Sequence, residues 1–208
     1  MTLEKIKGSY DAIFSLGHLC LAAIQLKKFN LRPFSGVLDW VASYSLTDVN
    51  RLLQNQFVGF MELSNLKVVG HASALDLLVL DEAYNIAFNH DFKTNQNTVS
   101  HLAAYHEVKK KYDRRVQRFL EKMATCKRIL FIRTEGTFPE VSELESILLK
   151  MVKNDFRILV VNHTNVSSMV EINLPSQKVS AVELPNKEIW DSNDHFWAEI
   201  FKGVHLSK

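Results

Sequence analysis

Cys20 is the residue whose position most clearly suggests chemistry. It closes the order Ser15-Leu-Gly-His-Leu-Cys20, after an apolar run from Ser9 to Leu16 and a turn at Gly17. The run reads as a strand. His18 to Phe29 reads as a helix with Leu19, Ala22, Ala23 and Leu26 on one face. A cysteine in the first turn of a helix feels that terminus's partial positive charge, which stabilises a thiolate and lowers the thiol pKa. A nearby imidazole would lower it further and act as general base. The plainer reading is a small, buried apolar side chain. Cys126 precedes an expected strand, so it belongs to the opposite end of the sheet and reads as packing.

His90-Asp91 is the best partner pair, an imidazole base next to a carboxylate that could orient it. Neighbours on an extended chain point to opposite faces, so Asp91 needs a turn after the strand to reach His90. Three further strand ends carry polar groups. These are Ser15, Gly17 and His18; Arg133, Thr134 and Glu135; and Asn162, His163 and Thr164. A parallel sheet would gather these ends with His90-Asp91, and open α/β sheets bind ligands beyond the carboxyl ends of their strands. Ser15, Gly17, His18, Arg133, Asn162 and His163 are therefore candidate ligand-binding positions for an anionic or sugar-containing molecule. Arg133 suits a bidentate contact to an anion, or an internal ion pair. His18 also reads as a helix cap and His163 as a loop residue. His18 and Cys20 are metal-compatible types, but no second cluster has zinc spacing, so no metal site is expected.

The elements that must position these residues follow from periodicity. Strands are expected at Leu75–Leu80 and Tyr84–Asn89, as a hairpin, and at Arg128–Arg133, Arg157–Asn162 and Lys178–Leu184. Helices are expected from Ser45 to Gln54, Thr98 to Thr125, Pro139 to Lys153 and Asp191 to Lys202. The two best strands are continuous apolar runs alternating with helices. That predicts a single three-layer α/β domain over residues 1–208, with a mostly parallel or mixed, Rossmann-like sheet covered on both faces. Lys111, Arg115, Arg118 and Lys122 form one stripe of the long helix. It reads as a solvated face, with a polyanion surface as the alternative. Asp39-Trp40 and Trp190 to Trp197 read as packing features.

The composition sets bounds. The chain has 208 residues, with 47% hydrophobic and 23% charged, enough for a core without staples. No two of its 7 glycines lie within eight positions, so neither G-x-G-x-x-G nor a Walker A loop is present and no nucleotide or other cofactor is implied. A net charge of +2 is too small to argue for nucleic acid. No apolar run reaches membrane-span length, so no membrane partner is expected. The first residues hold no apolar signal core, and two unpaired cysteines suit a reducing compartment, so a cytoplasmic location is expected.

Several blocks together resemble a known family. They are Asp11-Ala-Ile-Phe-Ser-Leu-Gly-His-Leu-Cys20, then Leu26, Arg32 and Leu38-Asp-Trp40, then Phe88-Asn-His-Asp-Phe92. Tyr112-Asp-Arg-Arg115, Arg118-Phe119, Ile129-Leu-Phe-Ile-Arg133 and the Trp190 to Trp197 pattern continue the likeness. The chain resembles a bacterial domain family of unknown function described as papain-like cysteine peptidases. The resemblance implies a thiol-dependent hydrolase acting on an unidentified peptide or small molecule, with Cys20 as nucleophile, His90 as base and Asp91 as possible orienter. Family members commonly carry a small polar residue where this chain has His18 and Leu19. The residues alone leave two alternatives open: a non-catalytic or transferase-like ligand domain, and an interaction module that uses the basic helix.

Overall fold

A computed structural model describes residues 2–207. Along the chain, β1 (Gly8–Tyr10) and β2 (Ala12–Ser15) lead into α1 (Leu21–Lys28). Then come β3 (Val41–Ala42), α2 (Leu46–Gln54), β4 (Leu66–Ser73), β5 (Asp76–Asp81) and β6 (Ile86–Lys93). The order closes with α3 (Tyr105–Thr125), β7 (Arg128–Thr134), α4 (Phe138–Met151), β8 (Asp155–Thr164), β9 (Val170–Ile172), β10 (Val179–Pro185), α5 (Asp194–Phe201) and β11 (Val204–Leu206).

The main sheet runs β2-β7-β8-β10-β9, parallel except for the antiparallel edge strand β9. Its central strands are buried on both faces, which is why they read as unbroken apolar runs. Phe131, Ile158 and Val160 pack with Tyr112, Phe119, Leu144 and Leu148 of α3 and α4 on one face. Leu130, Ile132, Leu159 and Val161 pack with Leu21 and Leu26 of α1 and Trp197 and Ile200 of α5 on the other. The helices do cover both faces. The parallel strands, however, follow chain order across the sheet. A Rossmann-type sheet reverses its order at a switch point, so the topology here is different.

A second, antiparallel sheet, β3-β6-β5-β4, packs Val79, Ile86 and Phe88 into the same core as α3 and α4. The expected hairpin is its β5–β6 pair. β4 has no apolar alternation, because most of it is exposed on the sheet's outer edge. From Phe88 to Phe92, β6 advances four residues while β5 advances two, from Val79 to Leu77. This bulge holds Asn89, His90 and Asp91. The fourth strand end expected from sequence is thus the middle of a strand, in a different sheet. Among the described residues no helix is long and apolar enough to cross a membrane.

Arg133, at the end of β7, joins the two sheets. Its side chain is fully buried and donates to Leu16 O at 2.8 Å, Ser43 O at 2.8 Å, Ser43 Oγ at 2.9 Å and Glu135 O at 2.9 Å. Burial pulls its pKa down to about 10, which leaves it charged near neutrality. Gly17 lies under this clamp with φ +84°, and a Cβ there would stand 2.2 Å from Ser43 Oγ and 3.1 Å from Arg133 Nη1. Gly17→Ala should therefore cost about 2 kcal/mol or more, from the left-handed backbone and the clash together. Arg133→Met should cost about 3 kcal/mol, because buried carbonyls and Ser43 lose their donor. Urea unfolding of each variant measures both losses. A change below about 0.5 kcal/mol, typical of an unconstrained surface site, would contradict the clamp.

Candidate active site

β2 delivers the chain to Gly17, whose N–H donates to Ser15 Oγ at 3.2 Å and whose carbonyl accepts from Thr134 N–H and Oγ, each at 3.0 Å. The N–H of His18 donates to Thr134 Oγ at 3.1 Å, and its carbonyl accepts from Ser43 N–H at 2.7 Å. The turn is thus tied down on both sides, and Cys20 becomes the N-cap residue of α1, 9% exposed. The bulge in β6 brings His90 to it from the other sheet. Cys20 Sγ lies 3.8 Å from His90 Nε2, across 70 residues of sequence. Cys20 is buried and His90 is exposed, so the pair spans the boundary with solvent.

Asp91 turns away from His90. Its carboxylate accepts from Lys111 and, at 2.8 Å, from the Tyr112 hydroxyl, both on α3. Among the described residues no carboxylate is hydrogen-bonded to His90. The orienting role expected of Asp91 therefore has no contact behind it here. The bulge changes the alternation locally without folding Asp91 back onto its neighbour.

The electrostatics of Cys20 also depart from the sequence expectation. Burial pushes the thiol pKa up, and the negative charges of Asp39 and Asp91 push in the same direction. The residue's own backbone N–H opposes them and is outweighed. The local helix terminus predicts a depressed value, but burial and two carboxylates from distant segments reverse the sign. Asp39 is buried, accepts from Arg32 Nε at 2.6 Å and Gly36 N–H at 2.7 Å, and belongs to the site as well as to packing. The Arg32 guanidinium lies over the Trp40 ring, 5.0 Å from its centroid. Only the Leu38-Asp-Trp40 block of the resemblance marked Asp39 beforehand.

The remaining sequence candidates divide by how their polar atoms are used. Among the described residues Arg133 has no ion pair; its guanidinium is taken up by carbonyls and Ser43. Asn162 exchanges two 3.0 Å hydrogen bonds with the backbone of Gly136. His163 Nδ1 contacts Glu135 Oε1 at 2.6 Å, while His163 Nε2 and His18 Nδ1 are buried without a partner among the described residues. Burial, then the charge of Arg133, lowers the His18 pKa. Glu135, one of the polar residues expected at this strand end, takes φ +61° at its contact with His163. Among the described residues no three His, Cys, Asp or Glu side chains are grouped to hold a metal ion. Cys126 is buried at the far end of the main sheet, as expected. Trp197 is fully buried but Trp190 is 41% exposed, so only one of the two tryptophans packs. The Lys111, Arg115, Arg118 and Lys122 stripe is half-buried rather than solvated.

No solved structure matches this chain. It is 27% identical over 219 residues to an uncharacterized protein of Acanthamoeba polyphaga mimivirus, covering 92% of this chain and 98% of that relative. That relative is viral, so a bacterial setting is not shown. A family model described as "Putative papain-like cysteine peptidase (DUF1796)" matches residues 11–166, well over half of the chain and a span that includes Cys20, Asp39, His90 and Arg133. The chain belongs to that family.

Proposed function

We propose that this protein is a thiol-dependent acyl hydrolase of the peptidase type, with Cys20 as nucleophile and His90 as its base. The observation that carries this reading is the 3.8 Å approach of Cys20 Sγ to His90 Nε2. Such contacts are often long in unliganded sites and tighten when substrate binds. The family description supports the same class of chemistry.

The raised thiol pKa sets the order of events. Cys20 rests protonated, so His90 removes the proton as Sγ bonds to the substrate's carbonyl carbon. Asp39 and Asp91 disfavour negative charge on sulfur. The negative charge moves to the carbonyl oxygen, where first-turn amides of α1 are the available donors. The tetrahedral adduct then collapses. The bond to the leaving group breaks, His90 gives that group its proton, and a thioester remains on Cys20. Water, deprotonated by His90, attacks the thioester, and the thiol leaves with the proton that His90 returns. The bound Arg133 gives no support to the alternative of an anion-binding domain built around it.

Two measurements test this reading. With p-nitrophenyl acetate, the native protein should release a burst of nitrophenol and carry an acetyl group on Cys20. Cys20→Ala should lose both, and His90→Ala should acylate about a hundredfold more slowly. An equal rate in His90→Ala would remove the base from the scheme. Iodoacetamide labelling of Cys20 should rise with pH along a curve centred above the free-thiol pKa of about 8.5. A raised pKa keeps the thiol protonated until the solution is more alkaline, so a midpoint at or below the free-thiol value would refute the electrostatic account.

A further inference from the structure

We infer that the cationic stripe of α3 is a carboxylate-binding rim and that the substrate of this site is an acidic peptide. The inference rests on the Cys20–His90 reading and names the substrate class for it.

Lys111, Arg115, Arg118 and Lys122 follow one another at spacings of four, three and four, so they share one helix face. The stripe is tied to both segments that flank Cys20. Lys111 donates to Asp91, the neighbour of His90. Arg118 Nη1 donates to Ser35 O at 3.4 Å, and Ser35 Oγ accepts from Arg32, the partner of Asp39, at 2.8 Å. The helix between Lys111 and Arg118 spans about 10 Å, the length of roughly three extended peptide residues. Arg115 lies between these two ties.

The charge on this face is only partly neutralised. Lys111 is used by Asp91 and Arg32 by Asp39. Among the described residues, Arg115, Arg118 and Lys122 have no carboxylate partner. They are nevertheless held in place. Arg115 lies 4.9 Å from the Tyr112 ring centroid, and Arg118 and Lys122 lie 5.1 and 5.3 Å from that of Phe34. Arg115, Arg118 and Lys122 are each half-buried, so part of every side chain stays open to solvent, and a fixed guanidinium is shaped for a carboxylate. A freely solvated face would not hold its cations against Phe34 of a neighbouring segment. A peptide is favoured over a nucleic acid because the nucleophile attacks acyl carbon, which a nucleic acid backbone lacks.

Three peptidyl vinyl sulfones test this, with the same alanine at the reactive end and Glu-Glu-Glu, Ala-Ala-Ala or Lys-Lys-Lys preceding it. Rates of Cys20 labelling are read by intact mass and peptide mapping. The Glu probe should label at least about tenfold faster than the Ala probe, and the ratio should shrink as salt is raised. In Arg115→Gln/Arg118→Gln the Glu-to-Ala ratio should fall to near one. Arg115→Glu should invert the preference towards the Lys probe. Each ratio is taken within one protein, so lowered stability cancels, and Arg115→Lys should keep a preference for the Glu probe. Equal labelling by all three probes would overturn the inference while leaving Cys20 and His90 in their roles. Equal labelling together with binding of a labelled dT20 that is lost in the double variant would overturn it in favour of nucleic acid. Failure of every peptide probe, with iodoacetamide labelling indifferent to His90→Ala, would overturn both readings.

Discussion

The buried guanidinium of Arg133 is the interaction on which the rest of this architecture depends. A charged side chain with no exposure is tolerated only when its donors are satisfied, and here they are met by the carbonyls of Leu16, Ser43 and Glu135 and by Ser43 Oγ. Those acceptors belong to the end of β2, the segment after β3 and the end of β7. The clamp therefore sets the antiparallel sheet against the parallel one at the place where the chain turns towards Cys20. Gly17 fits beneath it because no other residue lacks the Cβ that would collide with Ser43.

Once the two sheets are joined, the bulge in β6 has a purpose. Regular pairing would keep strict alternation through Phe88, His90 and Phe92. The extra residues let Asp91 reach Tyr112 and Lys111 while His90 remains at the solvent boundary within reach of Cys20. The same packing brings Asp39 and Asp91 close enough to act on the thiol. Burial, with two carboxylates adding to it, keeps the proton on the sulfur at rest. In the proposed reaction that makes proton transfer to His90 part of the attack, unlike a site built on a preformed thiolate–imidazolium pair.

Much of the frame was legible in the residues. The unbroken apolar runs at Ile129–Ile132 and Ile158–Val161 are buried on both faces, and such runs have few other uses. The spacing of Val108, Tyr112, Val116, Phe119 and Met123 marked one face of α3, and all but the half-buried Val116 are buried there. The cations of α3 were harder to read, because a stripe of Lys and Arg looks the same whether it meets water or a neighbouring loop. β4 was missed because an exposed edge strand needs no apolar alternation. Arg133 was recognised as unusual, but its partners are backbone carbonyls, which carry no sequence signature.

The sequence by itself determined the parallel core, the long amphipathic helix and the placing of Cys20 after a strand and a glycine turn. These follow from local periodicity and from the conformations that glycine and apolar runs permit. Only the tertiary structure decided which groups meet. It put His90 in a second sheet yet beside Cys20, turned Asp91 towards α3, and buried Cys20 near Asp39, so that the thiol shift runs opposite to the expected one. The physical reason is range. Periodicity acts over a few neighbouring residues, whereas hydrogen bonding, desolvation and Coulomb interaction act through space between segments far apart in the chain.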